Sequence, residues 1–426
     1  MCRNKMAVEA SSPAPSQSRR SPRDSGFSST SRSANSRSSD PQVSTNTSAA
    51  LNSASTFPSD FRLPSSVATA ALCSSLSNLR QSLPERPQIY DFSEIRAATN
   101  NFLSKRYSSA SSSQSWRCFL HGKEVIIFQR LIRRSIEKSG LTAKLSVICR
   151  SHNRSIIKLL GASISGNQIY LVYEFVSGSN LALCLRNPRN PSYTVLSTWL
   201  SRMKIATDLA QGLDYTHNMT GQGSNLVHKH VKSSGIILTE DLSSLNARIC
   251  HFGAAELCGE TEITEEPPAT GSRSENRNRQ FEGVHSYMSP EFQVTGLATK
   301  KSDVYAFGVV LLELFSGEEP VKFKYDKASG EYLKISVVET AKDAIGGEEA
   351  EKWLRRWVDG RLKDSFPVAV AEKVIRLALD CVHVEADERP DMRRVSGKLS
   401  KLFLESEYWS TRVQVPTDIS VSLAPR

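Results

Sequence analysis

"NLVHKHVKSSGIILTE", residues 225–240, places an apolar run, a tight polar turn and a second apolar run in succession, a pattern that predicts strand, loop, strand. The turn holds His228, Lys229, His230, Lys232 and Gly235, and the next carboxylate comes only at Glu240. Imidazoles, ammonium groups and a glycine are poor partners for a hard cation such as Mg²⁺, which prefers oxygen ligands. The surroundings of this turn decide the fold.

Working outward, "HFG" at 251–253, "MSPE" at 288–291, "KSDVYAFGVVLLEL" at 301–314 and "DERP" at 387–390 follow it in order. Upstream the pattern is sheet-like, with "WRCFLHG", "KEVIIFQRL", "IIKLLGAS" and "IYLVYEF" around one helical run at 135–150. From "SGSNL" onward it is helical, in "STWLSRMKIATDLAQGLDYTHN", "KKSDVYAFGVVLLELFSG" and "VAVAEKVIRLALDCVH". In "IYDFSEIRAATNNF", Ser93 ahead of Ile95, Ala98 and Phe102 predicts a short capped helix. The reading is an α+β, bilobal architecture: a β-rich lobe at 89–178, a helical lobe at 179–407 and a polar tail at 408–426. Residues 1–88, Ser-rich with interspersed Arg, cannot bury enough apolar area to offset ordering entropy and are expected to be disordered. Within them Leu72, Leu76, Leu79 and Leu83 recur at helical spacing, and Ser12 and Ser21 precede prolines as candidate phosphorylation sites.

Eight scattered cysteines without a C-x-x-C pair argue against a disulfide framework or zinc site. The net charge of +10 is uneven, with twelve Lys/Arg against two Asp/Glu in residues 105–158. No aromatic-interleaved basic stripe accompanies it, so nucleic acid is not an expected partner. A basic face meeting an acidic protein or an anionic membrane is expected instead. No early apolar run has signal-peptide or membrane-span length, which predicts a cytoplasmic chain. Cys2, beside Arg3 and Lys5, would add peripheral membrane association if palmitoylated.

The motifs and their order resemble the protein-kinase fold over about residues 89–407. Within it the chain is similar to plant receptor-like cytoplasmic kinases. "GLATKKSDVYAFGVVLLELFSGEE" is most similar to the kinase domains of LysM receptor-like kinases. The resemblance implies a glycine-rich phosphate loop, a β3 lysine held by a helix glutamate, two metal-binding side chains and a catalytic aspartate. The chain departs at each. "YSSASSSQSWRC" (107–118) lacks glycine, and the β3 lysine position falls on Phe128 or, one residue on, Gln129. Ile126 or Ile127 correspondingly stands in the adenine roof, where its bulk disfavours a bound ring. Lys144 replaces the helix glutamate, and with Arg130 it is expected only to repel. His230 stands for the catalytic aspartate, Gly235 for the metal-binding asparagine and His251 for the D-F-G aspartate, leaving Lys232 as the family-matching charge. Val284 stands where a threonine normally supports substrate placement.

Structural positions match: His228, Phe252, Gly253 and Ile148 for the spine and turn, Asp303 for a bond to the loop backbone, and Glu291 with Arg389 for an ion pair. The resemblance thus implies a pseudokinase, a scaffold or regulator in receptor-kinase signalling. Expected partners are active receptor-like kinases or their substrates, with no metal, no cofactor and at most weak ATP binding. The alternative is an atypical serine/threonine kinase with residual transfer, using Glu240, Asp241 or Glu256 as substitute ligands. The acidic stretch "CGETEITEEPP", which holds Glu260, Glu262, Glu265 and Glu266 just after Glu256, is expected to stay unordered without phosphorylation or a partner.

Overall fold

The computed structural model describes residues 87–107, 114–133, 138–218, 226–241, 244–260, 285–327 and 330–413. The expectations for Cys2, Ser12, Ser21, the leucines at 72–83, the heart of the phosphate-loop region and Val284 lie outside these residues.

The fold is α+β and two-lobed. Its elements begin with β1 (Gln88–Ile89), α1 (Phe92–Ala98), β2 (Ser115–Leu120), β3 (Lys123–Leu131), α2 (Lys138–Cys149), β4 (Leu159–Ser165) and β5 (Gln168–Glu174). These strands form one sheet in the order β1-β4-β5-β3-β2, antiparallel except for the β1–β4 pair. The two-residue period of β3 divides its side chains between two layers. Val125 and Ile127 pack with Tyr90, Ile95, Tyr170 and Val172 on the α1 side, whereas Phe128 joins the α2 side with Leu141, Leu145 and Ile148. The cap of α1 is Asp91 and not the expected Ser93, because Glu94 reaches back and its Oε2 accepts from Asp91 N at 3.0 Å.

The second lobe adds β6 (Ser179–Asn180), α3 (Leu181–Arg186), α4 (Trp199–Asn218), β7 (Ile236–Asp241), β8 (Ser244–Ile249), α5 (Ala254–Leu257), α6 (Pro290–Thr295) and α7 (Lys300–Ser316). It ends with β9 (Val321–Tyr325), β10 (Tyr332–Ser336), α8 (Val337–Ile345), α9 (Ala350–Trp357), α10 (Val368–Cys381) and α11 (Met392–Val413). Its core gathers Trp199, Met203 and Leu209 of α4, Phe307, Leu311 and Phe315 of α7, and the apolar faces of α10 and α11. The Trp199 indole Nε1 donates to the buried Ser406 at 2.9 Å, so α11 has reason to run on past 407. No helix among the described residues is long and apolar enough to cross a membrane.

The apolar run at the start of the opening stretch is not a strand: from Leu226 to Lys232 the chain is irregular, and the amides of His228 and Lys229 bond a buried carboxylate and not a sheet neighbour. The unanticipated β9–β10 hairpin pairs Tyr325 with Tyr332 and leaves Phe323, Tyr325 and Tyr332 exposed.

Candidate functional site

The irregular loop is positioned from α7. Asp303, buried near the first turn of that helix, accepts from His228 N at 2.6 Å and Lys229 N at 2.7 Å, and lies 3.0 Å from His217 Nε2. Burial pushes its carboxyl up, but His217 and the loop amides outweigh that and hold it below the ordinary range. With both amides committed, Lys229 sits at φ +66°, a left-handed conformation that a non-glycine residue adopts only at a cost. The next turn, Ser233–Gly235, is tied down by Glu313, which accepts from Ser233 Oγ at 3.0 Å and Tyr287 Oη at 2.7 Å and pairs with Arg186.

Around this frame the sequence-selected residues converge. His251 follows β8, is 9% exposed, and has φ +67°. Its ring meets Phe128 edge-on at 4.5 Å and lies 6.2 Å from the His230 ring. Burial, reinforced by the charge of Arg130, holds His251 neutral well below its ordinary range, and likewise depresses His230 to about 4. His251 Nδ1 is buried without a hydrogen-bond partner. Gly235 leaves space: a Cβ there would meet only His230 O at 3.5 Å and Lys232 Cγ at 3.6 Å. Phe252 is buried with Ile148 and Leu145, and its carbonyl accepts from the Tyr173 hydroxyl at 2.9 Å. Gly253 is at φ +76°, and a side chain there would strike Ile148 Cγ2 at 2.5 Å, so this turn requires glycine. Arg389 NH1 and NH2 each donate to Glu291 at 2.8 Å, joining α6 to the loop before α11.

The β3 alternatives separate. Ile126, Phe128 and Arg130 share the face toward the site, while Ile127 turns to the α1 layer and Gln129 reaches the Tyr170 hydroxyl. The sequence reading treated Arg130 only as a like charge opposing Lys144. Arg130 is in fact 7% exposed, and its charge acts on His228, His230, Lys232, His251 and Tyr173. Its Nε makes no hydrogen bond among the described residues.

Lys144 is also corrected. It does not merely repel: its Nζ pairs at 2.7 Å with Glu256 of α5, 112 residues away, so α2 has a charge-reversed latch. The acidic stretch is ordered at its start. Glu260 is buried, 2.6 Å from Lys229 Nζ and 3.3 Å from His230 Nε2. Burial would raise that carboxyl, but His230 and Lys229 overcome it and hold it far below the ordinary range. Glu262, Glu265 and Glu266 lie outside the described residues. Among the described residues no group of three or more His, Cys, Asp or Glu could hold a metal, and the carboxylate of Glu256 is engaged with Lys144.

A family model described as protein tyrosine and serine/threonine kinase matches residues 122–399, from β3 into the first two turns of α11. The chain belongs to that kinase family. Its relatives include LysM domain receptor-like kinase 3 of Arabidopsis thaliana, 30% identical over 76% of this chain and 48% of that protein. LysM domain receptor-like kinase 10 of Oryza sativa subsp. japonica is 32% identical over 75% of this chain and 48% of its own length. The chain therefore spans about half the length of these curated relatives. Among solved structures, the pseudokinase domain of BIR2, described as an immune regulator of the RLK/Pelle family, shares the fold. Its TM-score is 0.55 at 23% identity, covering 78% of this chain and 96% of that one. This is a kinase domain related to those of plant LysM-type receptor-like kinases.

The magnesium nucleotide that the family implies is a poor fit to these residues. Hard oxygen ligands are replaced by His230, Gly235 and His251, and the aromatic edge of Phe128 stands against the imidazole. A buried guanidinium beside them would repel a divalent cation.

Proposed function

We propose that this kinase-family chain is a pseudokinase that acts by binding other proteins, with active receptor-like kinases or their substrates as partners. One observation carries the reading: His251, in the D-F-G aspartate position, is buried, neutral and packed on Phe128, with Arg130 as the nearby charge. Phosphoryl transfer depends on metal ions and oriented charges for nearly all its rate enhancement, and His251 supplies no hard ligand in the position where the family binds metal. What remains is a framework: Asp303 holding the loop, Glu291 with Arg389 bracing the helical lobe, and Phe252 with Ile148 joining the lobes.

The test is a radiolabel transfer assay on the full chain with ATP and Mg²⁺ or Mn²⁺, alone and with a general acceptor protein. The expected result is no label above the heat-killed control, and none after His230→Asp, Gly235→Asn and His251→Asp are combined. Robust labelling of the wild type would overturn the reading. Partner capture from plant cells before and after receptor stimulation tests the binding role, and acyl exchange at Cys2 tests membrane association.

A further inference from the structure

Three exposed aromatic side chains gather on one face of the β9–β10 hairpin. Its register and two-residue period set that face in rows from tip to base: Tyr325 opposite Tyr332, Phe323 opposite Lys334, and Val321 opposite Ser336. Tyr325, Tyr332 and Phe323 are 52%, 71% and 68% exposed, and the two tyrosine rings meet edge-on at 5.3 Å. A two-stranded hairpin is marginal alone, but this one is tied at both ends. Val337 N donates to Pro320 O at 3.0 Å at the base, and Asp326 N donates to Glu331 O at 2.8 Å beside the turn. A contiguous apolar patch held out in water on a fixed platform marks an interaction surface.

The base of the face does not end in open solvent. Val321, Lys334 and Ser336 pass into the lining of a cavity of about 210 Å³, to which α6 contributes Gln293, α7 Tyr305 and α8 Glu339. Lys334 thus belongs both to the aromatic face and to the cavity wall. On the opposite face of the hairpin Lys322 pairs with Glu318, whereas Lys334 has no ion pair among the described residues.

We propose that this face and the cavity at its foot form the docking site for an extended, acidic peptide segment of a partner protein. An extended chain repeats every two residues, about 6.6 Å, which is also the spacing of the rows. Alternate side chains of the segment therefore meet the tyrosine pair, Lys334 and the cavity in turn. The first is apolar, the second a carboxylate that Lys334 receives, and the third a hydrogen-bond donor, because Glu339 in the lining would repel a second acid. A second copy docked face to face would set two Lys334 ammoniums on one small patch. A bilayer would meet Asp326 and Glu331 beyond the tyrosines and leave the cavity unfilled. The site rests on the binding role proposed above and not on the loss of transfer; peptide binding and labelling are separate measurements, so either can fail alone.

The experiment selects from a displayed library of random linear peptides on the immobilised full chain, then measures the recovered peptides, synthesised with fluorescein, by polarisation. Saturable binding is expected from peptides with an apolar residue two positions from Asp or Glu. Affinity falls at least tenfold in the double variant Tyr325→Ser, Tyr332→Ser and at least fivefold in Lys334→Glu, and a peptide with its acidic residue changed to Lys restores binding to Lys334→Glu. Lys324→Glu, on the opposite face, changes affinity less than twofold. These side chains are exposed, so wild-type circular dichroism is expected of each variant; if the tyrosine variant loses it, the charge swap at Lys334 decides alone. No enrichment over bare resin, equal binding by the variants, or a charge swap that restores nothing overturns the proposal. So does a tyrosine variant that loses binding to phosphatidylserine and phosphatidylcholine vesicles while no peptide is enriched, which makes the face a membrane contact. Concentration-dependent dimerisation that the same variant abolishes, again without peptide enrichment, makes it a self-interface and overturns the proposal likewise.

Discussion

At the scale of single residues, strained backbone marks two positions of the candidate site. His251 and Lys229 both hold left-handed φ values, a strain that persists only where the surroundings enforce it. Substituting a single residue should therefore leave the chemistry unrestored: His251→Asp alone is expected to give no labelling, because Phe128 and Arg130 still occupy the metal's surroundings. Gly253 is the clearest stability test. Gly253→Ala meets Ile148 at 2.5 Å on an unfavourable backbone and should cost about 1–3 kcal/mol in urea unfolding, part of it recovered by Ile148→Val. Loss of less than a few tenths of a kcal/mol would show that the turn yields easily. The alternation of β3 was legible in the sequence, and so was each substituted motif position. Arg130 was not, because its importance comes from what it lacks, a partner, and only the packed structure shows that.

Among elements, the informative contact joins α2 to α5 through Lys144 and Glu256. A reversed charge at position 144 suggested a broken connection, since the compensating carboxylate lies 112 residues along the chain, beyond any local pattern. Both side chains are partly exposed, so a double-mutant cycle should give a coupling of about 0.2–1 kcal/mol, with the swap Lys144→Glu, Glu256→Lys recovering most of it. Zero coupling in low salt would remove the latch. The hairpin differs, for its signal was present: "VKFKY" and "YLKIS" alternate across a turn containing Ser and Gly, but sat inside a region dominated by helical patterns. The cap of α1 was missed by two residues because Ser93 and Asp91 are both good caps, and only the reach of Glu94 decides between them.

Across the whole molecule, acid should reveal the buried imidazoles. His230 is depressed from 6.5 to about 4, so on acidification the unfolded chain takes up that proton first and stability falls between those values. His228 and His251 are depressed in the same direction, and Glu260, also depressed, adds stability above 4.5 that is lost as pH falls further. His230 alone accounts for a loss on the order of 3 kcal/mol. Unfolding free energies measured from about pH 7.5 to about pH 4.5 should decline with a slope that His230→Gln reduces by up to one proton; a flat profile would contradict the burial. The bilobal plan itself was readable because five motifs in order constrain it far more than any one of them, and so was the packing of Phe252 with Ile148, while the hydrogen bonds between lobes were not. One of these contacts is the Tyr173 hydroxyl on the Phe252 carbonyl, to which the Arg133 amide adds a bond to Cys258 O at 3.0 Å. Here the seam is stitched, so the two lobes should melt as a single calorimetric unit and their amides exchange slowly as one block. Tyr173→Phe, which removes about 1 kcal/mol, should let the sheet lobe breathe first. A seam held this way presents a surface already set, so that anything binding across it would have little ordering entropy to overcome.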